Sequence, residues 1–177
     1  AVGVLAVQPA DAKKVQQDPV VSPIEMPMND EIQQVNGVSK ATNKETQRLS
    51  NKLADATKAM VKKNWKTIYV KAVPTGDKAA VRFYYVDTRG QVHNGQVIRN
   101  TGLSKGKYMT GSLRQAEALQ ELVNHLERTG QEVPSSIDII ITQGGYRSKT
   151  IFNYDEDTSN LPAYQQQYEQ QNFPTMK

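Results

Sequence analysis

The order of hydrophobic patterns between residues 65 and 157 constrains the fold more than any other feature of this chain. Two alternating segments, WKTIYVKAV and AVRFYYVD, come first, and a long segment with apolar residues at helical spacing follows them. Two further apolar segments, SIDIIIT and TIFNYD, come after that helix. Alternation predicts half-buried strands, whereas helical spacing predicts an amphipathic helix. The pattern therefore predicts an α+β fold built on an antiparallel sheet.

The predicted sheet has four to five strands and packs one face against the long helix. The weakest strand is expected over residues 91–98, and a helix over residues 42–63 is expected beside the long one. The Gln-rich tail, residues 158–177, predicts a short C-terminal helix, because Tyr164 and Tyr168 lie four positions apart. The predicted core comprises Val81, Phe83, Leu119, Leu122, Leu126, Ile139 and Ile141.

Capping residues predict where the two longer helices begin and end. Thr42 with Glu45, and Ser112 with Gln115, each match the capping-box pattern, in which a hydroxyl and a carboxylate or amide satisfy the first free N–H groups. Gly130 is expected to end the long helix, since glycine adopts the left-handed conformation that follows a helix terminus. The apolar face of that helix is expected to comprise Leu113, Ala116, Leu119, Leu122, Val123 and Leu126.

The residue types that carry catalysis or bind metals are sparse. The chain has no cysteine, which excludes disulfides and thiolate sites, and neither His93 nor His125 lies in a metal-binding pattern. Residues 100–111 are rich in glycine and lysine and are predicted to form a mobile basic loop. This loop does not match a phosphate-binding loop, because Tyr108 stands where a magnesium-binding hydroxyl is needed. We therefore predict no catalytic residues, no metal site and no cofactor, and the chain is not expected to be an enzyme.

The N-terminal residues resemble the end of a signal peptide. Residues 1–7 are small or aliphatic, and Ala10, Asp11 and Ala12 match the small-residue pattern of a cleavage site. Residues 13–41 follow as a Pro-rich flexible linker, and residues 42–177 form the folded domain, with its core at 65–157. No other segment is apolar enough to span a membrane. The chain is expected to be exported, with a cytoplasmic location as the alternative.

Charge is distributed unevenly along the chain, whose net charge is +4. Residues 65–116 contain nine Lys and Arg against two Asp and Glu, whereas residues 117–177 contain four against nine. Such a layout can steer a charged partner to one face of the protein. Scattered charges on a solvated surface are the alternative explanation.

Five residues are candidates for contact with a partner. Asp155, Glu156 and Asp157 directly follow Tyr154 at the end of the last strand, and Tyr84 shares an outer strand face with Arg82. Exposed tyrosine beside arginine is common at interfaces. Alternatives stay open for both groups. The acidic run fits a solvated loop, a divalent cation site or a cap for the element that follows it, and Tyr84 fits a cross-strand pair with Tyr69.

The series WKTIYV, VRFYY, LQELVNHL, IDIIIT and FNYDE resembles the YezG-like immunity (antitoxin) family of bacterial polymorphic toxin systems. The resemblance implies a small α+β domain with a helix before the first strand and a closing helical segment. It also implies a protein that forms a complex with a partner toxin, often a nuclease. Members of the family are typically acidic and cytosolic, whereas this chain is basic and carries the export pattern.

Three classes of function are consistent with these observations. The first is a non-catalytic, toxin-binding immunity protein that covers part of its partner's surface. The second is an exported binding or adhesion module that reuses the fold. The third is a nucleic-acid binder that uses the basic half and exposed tyrosines, and whose affinity would fall steeply with salt.

Overall fold

A computed structural model of the protein describes residues 24–25, 39–75, 78–144 and 148–176, and these residues form an α+β domain. The strands are β1 (Ile24–Glu25), β2 (Trp65–Thr75), β3 (Lys78–Asp87), β4 (Val92–Asn94), β5 (Ser136–Thr142) and β6 (Ser148–Asn153). The helices are α1 (Lys40–Lys58), α2 (Ile98–Thr101), α3 (Lys105–Arg128) and α4 (Leu161–Asn172). The predicted fold class is confirmed, including the long helix and the short C-terminal one.

The strands form one antiparallel sheet in the order β1-β6-β5-β2-β3-β4. Five of them come from the predicted core, and the sixth, β1, pairs only Ile24 with Phe152 and Glu25 with Ile151. This short edge strand lies inside the segment predicted to be a linker. The predicted signal-peptide residues 1–12, and all other linker residues before residue 39, lie outside the described residues.

The core lies between one face of the sheet and the pair of helices α1 and α3. Strand residues that alternate along β2, β3 and β5 meet Leu119, Leu122 and Leu126 of α3, as predicted. Val81 is only partly buried, although it packs against the same cluster. Each large aliphatic side chain removed from water here contributes about 1.5–3 kcal/mol, so this face supplies most of the hydrophobic stabilisation.

Helix α3 begins two turns earlier than predicted, and residues 100–111 are not a mobile loop. Ser104 caps the helix by accepting a hydrogen bond from the backbone N–H of Lys107 at 3.3 Å. A Cβ on Gly111 would lie 2.9 Å from the side chain of Met60, so glycine here allows close packing of α3 against the turn that follows α1. Tyr108 anchors the same turn by donating to the carbonyl of Gly95 at 2.8 Å. These tertiary contacts outweigh the low helix propensity of glycine.

The residues of the predicted capping box at position 112 therefore lie inside the helix. Gln115 is buried and donates to the Thr57 hydroxyl of α1 at 2.9 Å. Gly130 does follow the end of α3, with a φ of +72° as predicted. Leu113, however, does not belong to the buried face, because it is 59% exposed. Its side chain therefore lies on the solvent-exposed side of α3.

Helix α1 also begins earlier than predicted, at Lys40 rather than Thr42. The cap is Ser39, whose hydroxyl accepts from the N–H of Thr42 at 3.2 Å. Glu45 does not complete a capping box, because its carboxylate binds Arg48 through two contacts of 2.8 Å. The helix ends at Lys58 rather than near residue 63, and the following turn carries the chain into β2.

Strand β4 covers only three of the residues predicted for it. The backbone N–H of Gly95 still donates to the Phe83 carbonyl at 2.8 Å, and a Cβ on Gly95 would lie 2.4 Å from the Phe83 ring, so this close approach requires glycine. Beyond Gly95, the side chain of Gln96 replaces the backbone of β4 as the partner of Phe83. Its amide oxygen accepts from the Phe83 N–H at 2.9 Å, and its amide nitrogen donates to the Phe83 carbonyl at 3.1 Å.

Candidate partner-binding surface

The second face of the sheet is covered by α4 and the residues that follow it. Tyr69 of β2 and Tyr84 of β3 are paired in register and point to this face. The ring of Phe173, just after α4, lies 5.5 Å from Tyr69 and 4.9 Å from Tyr84 between ring centroids. Tyr168 of α4 lies 5.7 Å from Tyr84. The face is therefore closed by aromatic contacts, each worth about 0.5–1.5 kcal/mol beyond its area.

Tyr84 is predicted to be exposed, but it is buried, with a relative accessibility of 0%. Its hydroxyl accepts from Arg82 Nε at 3.1 Å and donates to Glu169 Oε2 of α4 at 2.6 Å. Arg82 and Glu169 also form a direct ion pair of 2.9 Å. Burial raises the pKa of Tyr84, so its hydroxyl remains protonated and able to donate. The cross-strand pair with Tyr69 accounts for its position, and a partner can touch this ring only after α4 moves.

A buried ion pair lies next to this aromatic cluster. Lys71 is 5% exposed, and its Nζ lies 3.0 Å from Asp138 Oδ1, on the residue opposite it in β5. The same Nζ lies 4.9 Å from the ring centroid of Tyr168. Burial is the largest single effect and lowers the pKa of Lys71, but the Asp138 carboxylate, together with Glu156, Tyr164 and Tyr168, outweighs it and raises that pKa well above its ordinary value. The lysine is therefore charged beneath α4.

The network continues from this ion pair to the acidic run. Asn153 donates to Asp138 at 2.7 Å and to the Ser136 hydroxyl at 3.0 Å. Ser136 in turn donates to the carboxylate of Glu156, which also accepts from the Tyr164 hydroxyl of α4 at 2.9 Å. Glu156 therefore ties α4 to the sheet, and its carboxylate is engaged within the chain.

The three acidic residues differ in what remains free for a partner. Asp157 accepts from the N–H and hydroxyl of Ser159 at 3.0 and 2.6 Å, which lowers its pKa and shapes the turn before α4. Asp155 is exposed, with a left-handed backbone φ of +63°. Tyr154 is half-buried and packs against the apolar core, which raises its pKa. Asp155 is thus the most available charge of the run.

The structure brings Tyr154 and the acidic run together at one end of the sheet, whereas Tyr84 lies beneath α4. The cluster of Lys71, Ser136, Asp138 and Asn153 was not predicted from the sequence. A lysine in an otherwise apolar strand, with an aspartate in a facing strand, is the signal that could have identified it. Recognising that signal requires the strand register.

A metal ion and a nucleic-acid base would each need particular side chains at this site. Among the described residues, no group of three or more His, Asp or Glu side chains is arranged to hold a metal ion. Tyr84, the tyrosine of β3 that was predicted to face outward, is buried and cannot stack on a base. In the same part of the chain, no helix is long and apolar enough to cross a membrane.

Comparison with known proteins gives one family match. A family model described as "Immunity protein YezG-like" matches residues 46–176, which run from the first turns of α1 to the segment after α4. This match confirms the resemblance carried by the strand and helix motifs. A search of curated proteins finds no significant match.

Proposed function

The chain belongs to the YezG-like immunity protein family, and from that membership we propose that it neutralises a toxin by binding it. The match over residues 46–176 is the observation that carries the proposal, because it spans nearly all of the described domain. The mechanism we propose is occlusion: the protein covers part of the toxin's surface and performs no chemistry. A nuclease is the proposed type of toxin, as the family resemblance implies.

We propose that the acidic end of the sheet, Tyr154 with Asp155, Glu156 and Asp157, forms part of the interface. Asp155 is the leading contact, because it is exposed and makes no side-chain hydrogen bond or ion pair among the described residues. Charges at the rim of an interface act mainly on the rate of association. Tyr84 would contribute indirectly, since its bond to Glu169 helps to hold α4, and with it the acidic end, in place.

The proposed neutralisation can be tested in living cells and with purified proteins. The chain would be co-expressed in bacteria with each toxin-like protein encoded beside its gene, and growth and complex formation would be measured. We expect one of these proteins to arrest growth, and we expect the chain to restore growth and to co-purify with that toxin. The proposal fails if no neighbouring protein is neutralised, or if a toxin loses activity without forming a complex.

A pair of variants tests the acidic end. Asp155→Asn removes the one charge of the run that is free for a partner, and Glu117→Gln removes one exposed charge from α3. We expect slower association with the toxin, and weaker salt dependence, for the first variant only. Equal association rates for both variants would place the interface elsewhere.

We also propose that the protein is exported, with cleavage after Ala12 and a linker that ends before the Ser39 cap of α1. The support is the small-residue pattern at positions 10–12, which lies outside the described residues. N-terminal sequencing of the natively produced protein from cells and from medium tests this. A mature protein that begins at Lys13 in the medium is expected, whereas recovery only from cytosol with residues 1–12 intact would favour the cytoplasmic alternative.

A further inference from the structure

A cleft of about 360 Å³ lies at the end of the sheet opposite the acidic run. It forms where β3 turns into β4 and where α2 follows. Three cationic side chains line it: Lys63 from the segment after α1, Arg89 from the turn, and Arg99 from α2. All three residues are exposed, and within the described residues none of their side chains forms an ion pair or a hydrogen bond. These three cationic side chains are therefore available to bind a ligand.

The one carboxylate that lines the cleft is already satisfied. Asp87 accepts from His93 Nε2 at 2.8 Å and from the backbone N–H groups of Arg89 and Gln91 at 2.8 and 3.0 Å. The His93 hydrogen bond is the largest of the effects that lower the pKa of Asp87 to about 2, so it is ionised and occupied. Three cations and one carboxylate leave the lining with a formal charge of +2.

We propose that this cleft binds a carboxylate-rich segment of a protein partner. Arginine suits this role, because its planar guanidinium can donate two parallel hydrogen bonds to one carboxylate. The inference rests on the proposed function in one respect: the acidic segment belongs to the toxin. The protein would then contact its partner with charges of opposite sign at its two ends, which fixes the orientation of the complex.

The cleft favours an acidic protein segment over a nucleic acid. Single-stranded nucleic acids bind proteins through bases stacked on exposed aromatic rings. The one tyrosine that lines the cleft, Tyr85, is buried, and its ring stacks on His93 with centroids 4.8 Å apart. Its hydroxyl donates to the carbonyl of Asn100 at 2.6 Å. Tyr85 thus offers no free face for a base, whereas the guanidinium groups remain available for carboxylates.

The test uses the whole chain and a defined probe. A short, end-blocked peptide of alternating glutamate and glycine would be titrated into the ¹⁵N-labelled protein and followed by NMR, with a glutamine-for-glutamate peptide as control. We expect saturable binding of the glutamate peptide, with amide shifts concentrated in residues 63–64 and 85–100. The glutamine peptide should cause no such shifts.

A matched pair of double variants locates the site. Arg89→Gln with Arg99→Gln removes two charges from the cleft, and Lys105→Gln with Arg114→Gln removes two exposed charges from α3. We expect the first pair to weaken peptide binding about tenfold or more, as loss of a charge-assisted hydrogen bond would, and the second by less than about twofold. Thermal midpoints equal to that of the unmodified protein will show that both variants fold.

Two results would overturn the inference. One is absent peptide binding, or equal weakening by both double variants, which would mean that net charge alone attracts the peptide. The other is tighter binding of a single-stranded oligonucleotide that the Arg89→Gln and Arg99→Gln changes abolish, which would make the ligand a nucleic acid. If the protein neutralises a toxin but does not bind the peptide, only the proposed role of the cleft is refuted. If the protein binds the peptide but no neighbouring toxin is neutralised, only the proposed immunity function is refuted.

Discussion

The two faces of the sheet are stabilised by different kinds of interaction. The face beneath α1 and α3 buries aliphatic side chains such as Leu122 and Ile139. The face beneath α4 instead holds a buried lysine, a partly exposed aspartate and four packed aromatic rings, of which two are buried. Hydrophobic burial is non-directional and grows with area. A buried ion pair stabilises only with good geometry and satisfied partners. The first face should therefore determine whether the chain folds, and the second should determine whether α4 is held in one position.

The largest effect is expected for truncation in the aliphatic face. Leu122→Ala should lower the free energy of unfolding by about 2–5 kcal/mol, through lost transfer energy and the cavity left behind. Urea denaturation measures this loss. Leu113→Ala is the matched control on the same helix, and it should cost less than about 0.5 kcal/mol because Leu113 is 59% exposed. Similar losses for both variants would mean that the buried face of α3 is wrongly identified.

A smaller effect is expected beneath α4. Asp138→Asn leaves the charged Lys71 without its counter-ion, and we expect a loss of about 2 kcal/mol, reduced by the 24% exposure of Asp138. The double variant Lys71→Met with Asp138→Leu should recover most of it, because apolar residues of similar size often replace buried ion pairs without cost. If the double variant is less stable than Asp138→Asn alone, the pair itself stabilises the fold and the contrast between the faces is wrong.

Alkaline pH should weaken the α4 face first. Burial raises the pKa of Tyr84 and Tyr168 and raises that of Tyr164 to about 12. In the unfolded chain these hydroxyls ionise near pH 10, so the folded state holds its protons more tightly, and stability falls as pH rises from about 10 towards 12. Near-ultraviolet circular dichroism and tyrosinate absorption measure the change. Loss of helix α3 at a lower pH than the aromatic signal would contradict this order.

The smallest effect on stability is expected outside both faces. Asp155→Asn should change the free energy of unfolding by less than about 0.5 kcal/mol, because the residue is exposed and asparagine tolerates the left-handed backbone at φ +63°. The same variant should slow association with the toxin if the proposed interface is correct. A clear loss of stability in denaturation would show that Asp155 supports the turn itself rather than a partner.

The aliphatic face could be predicted from the sequence because its pattern is local. Phe83 and Leu122 each lie in a periodic series, so their burial follows from neighbours in the chain. The helix starts could not be predicted as well, since Ser39 and Ser104 compete with Thr42 and Ser112 as caps. The choice depends on distant contacts such as Gly111 against Met60.

Local sequence patterns could not predict whether the second face of the sheet is exposed or covered. Alternation correctly places Tyr84 on the outer side of β3, but it says nothing about what covers that side. The covering helix begins more than seventy residues later, and its contacts come from polar and aromatic residues rather than from an apolar stripe. The candidate interface at residues 154–157 was predicted as a continuous segment, whereas the network from Lys71 to Glu156 depends on pairing between strands.

The side chain of Gln96 has a consequence for how this protein behaves at high concentration. An open strand edge offers unpaired N–H and C=O groups on which a strand from another molecule can dock, and such docking starts aggregation. Next to the three-residue strand β4, the Gln96 amide occupies both backbone groups of Phe83. We expect these bonds, with the Gly95 N–H on the same carbonyl, to leave Phe83 no free backbone group on which a strand from another molecule could dock. Gln96→Ala should therefore lower solubility and increase aggregation during storage more than it weakens binding to a partner.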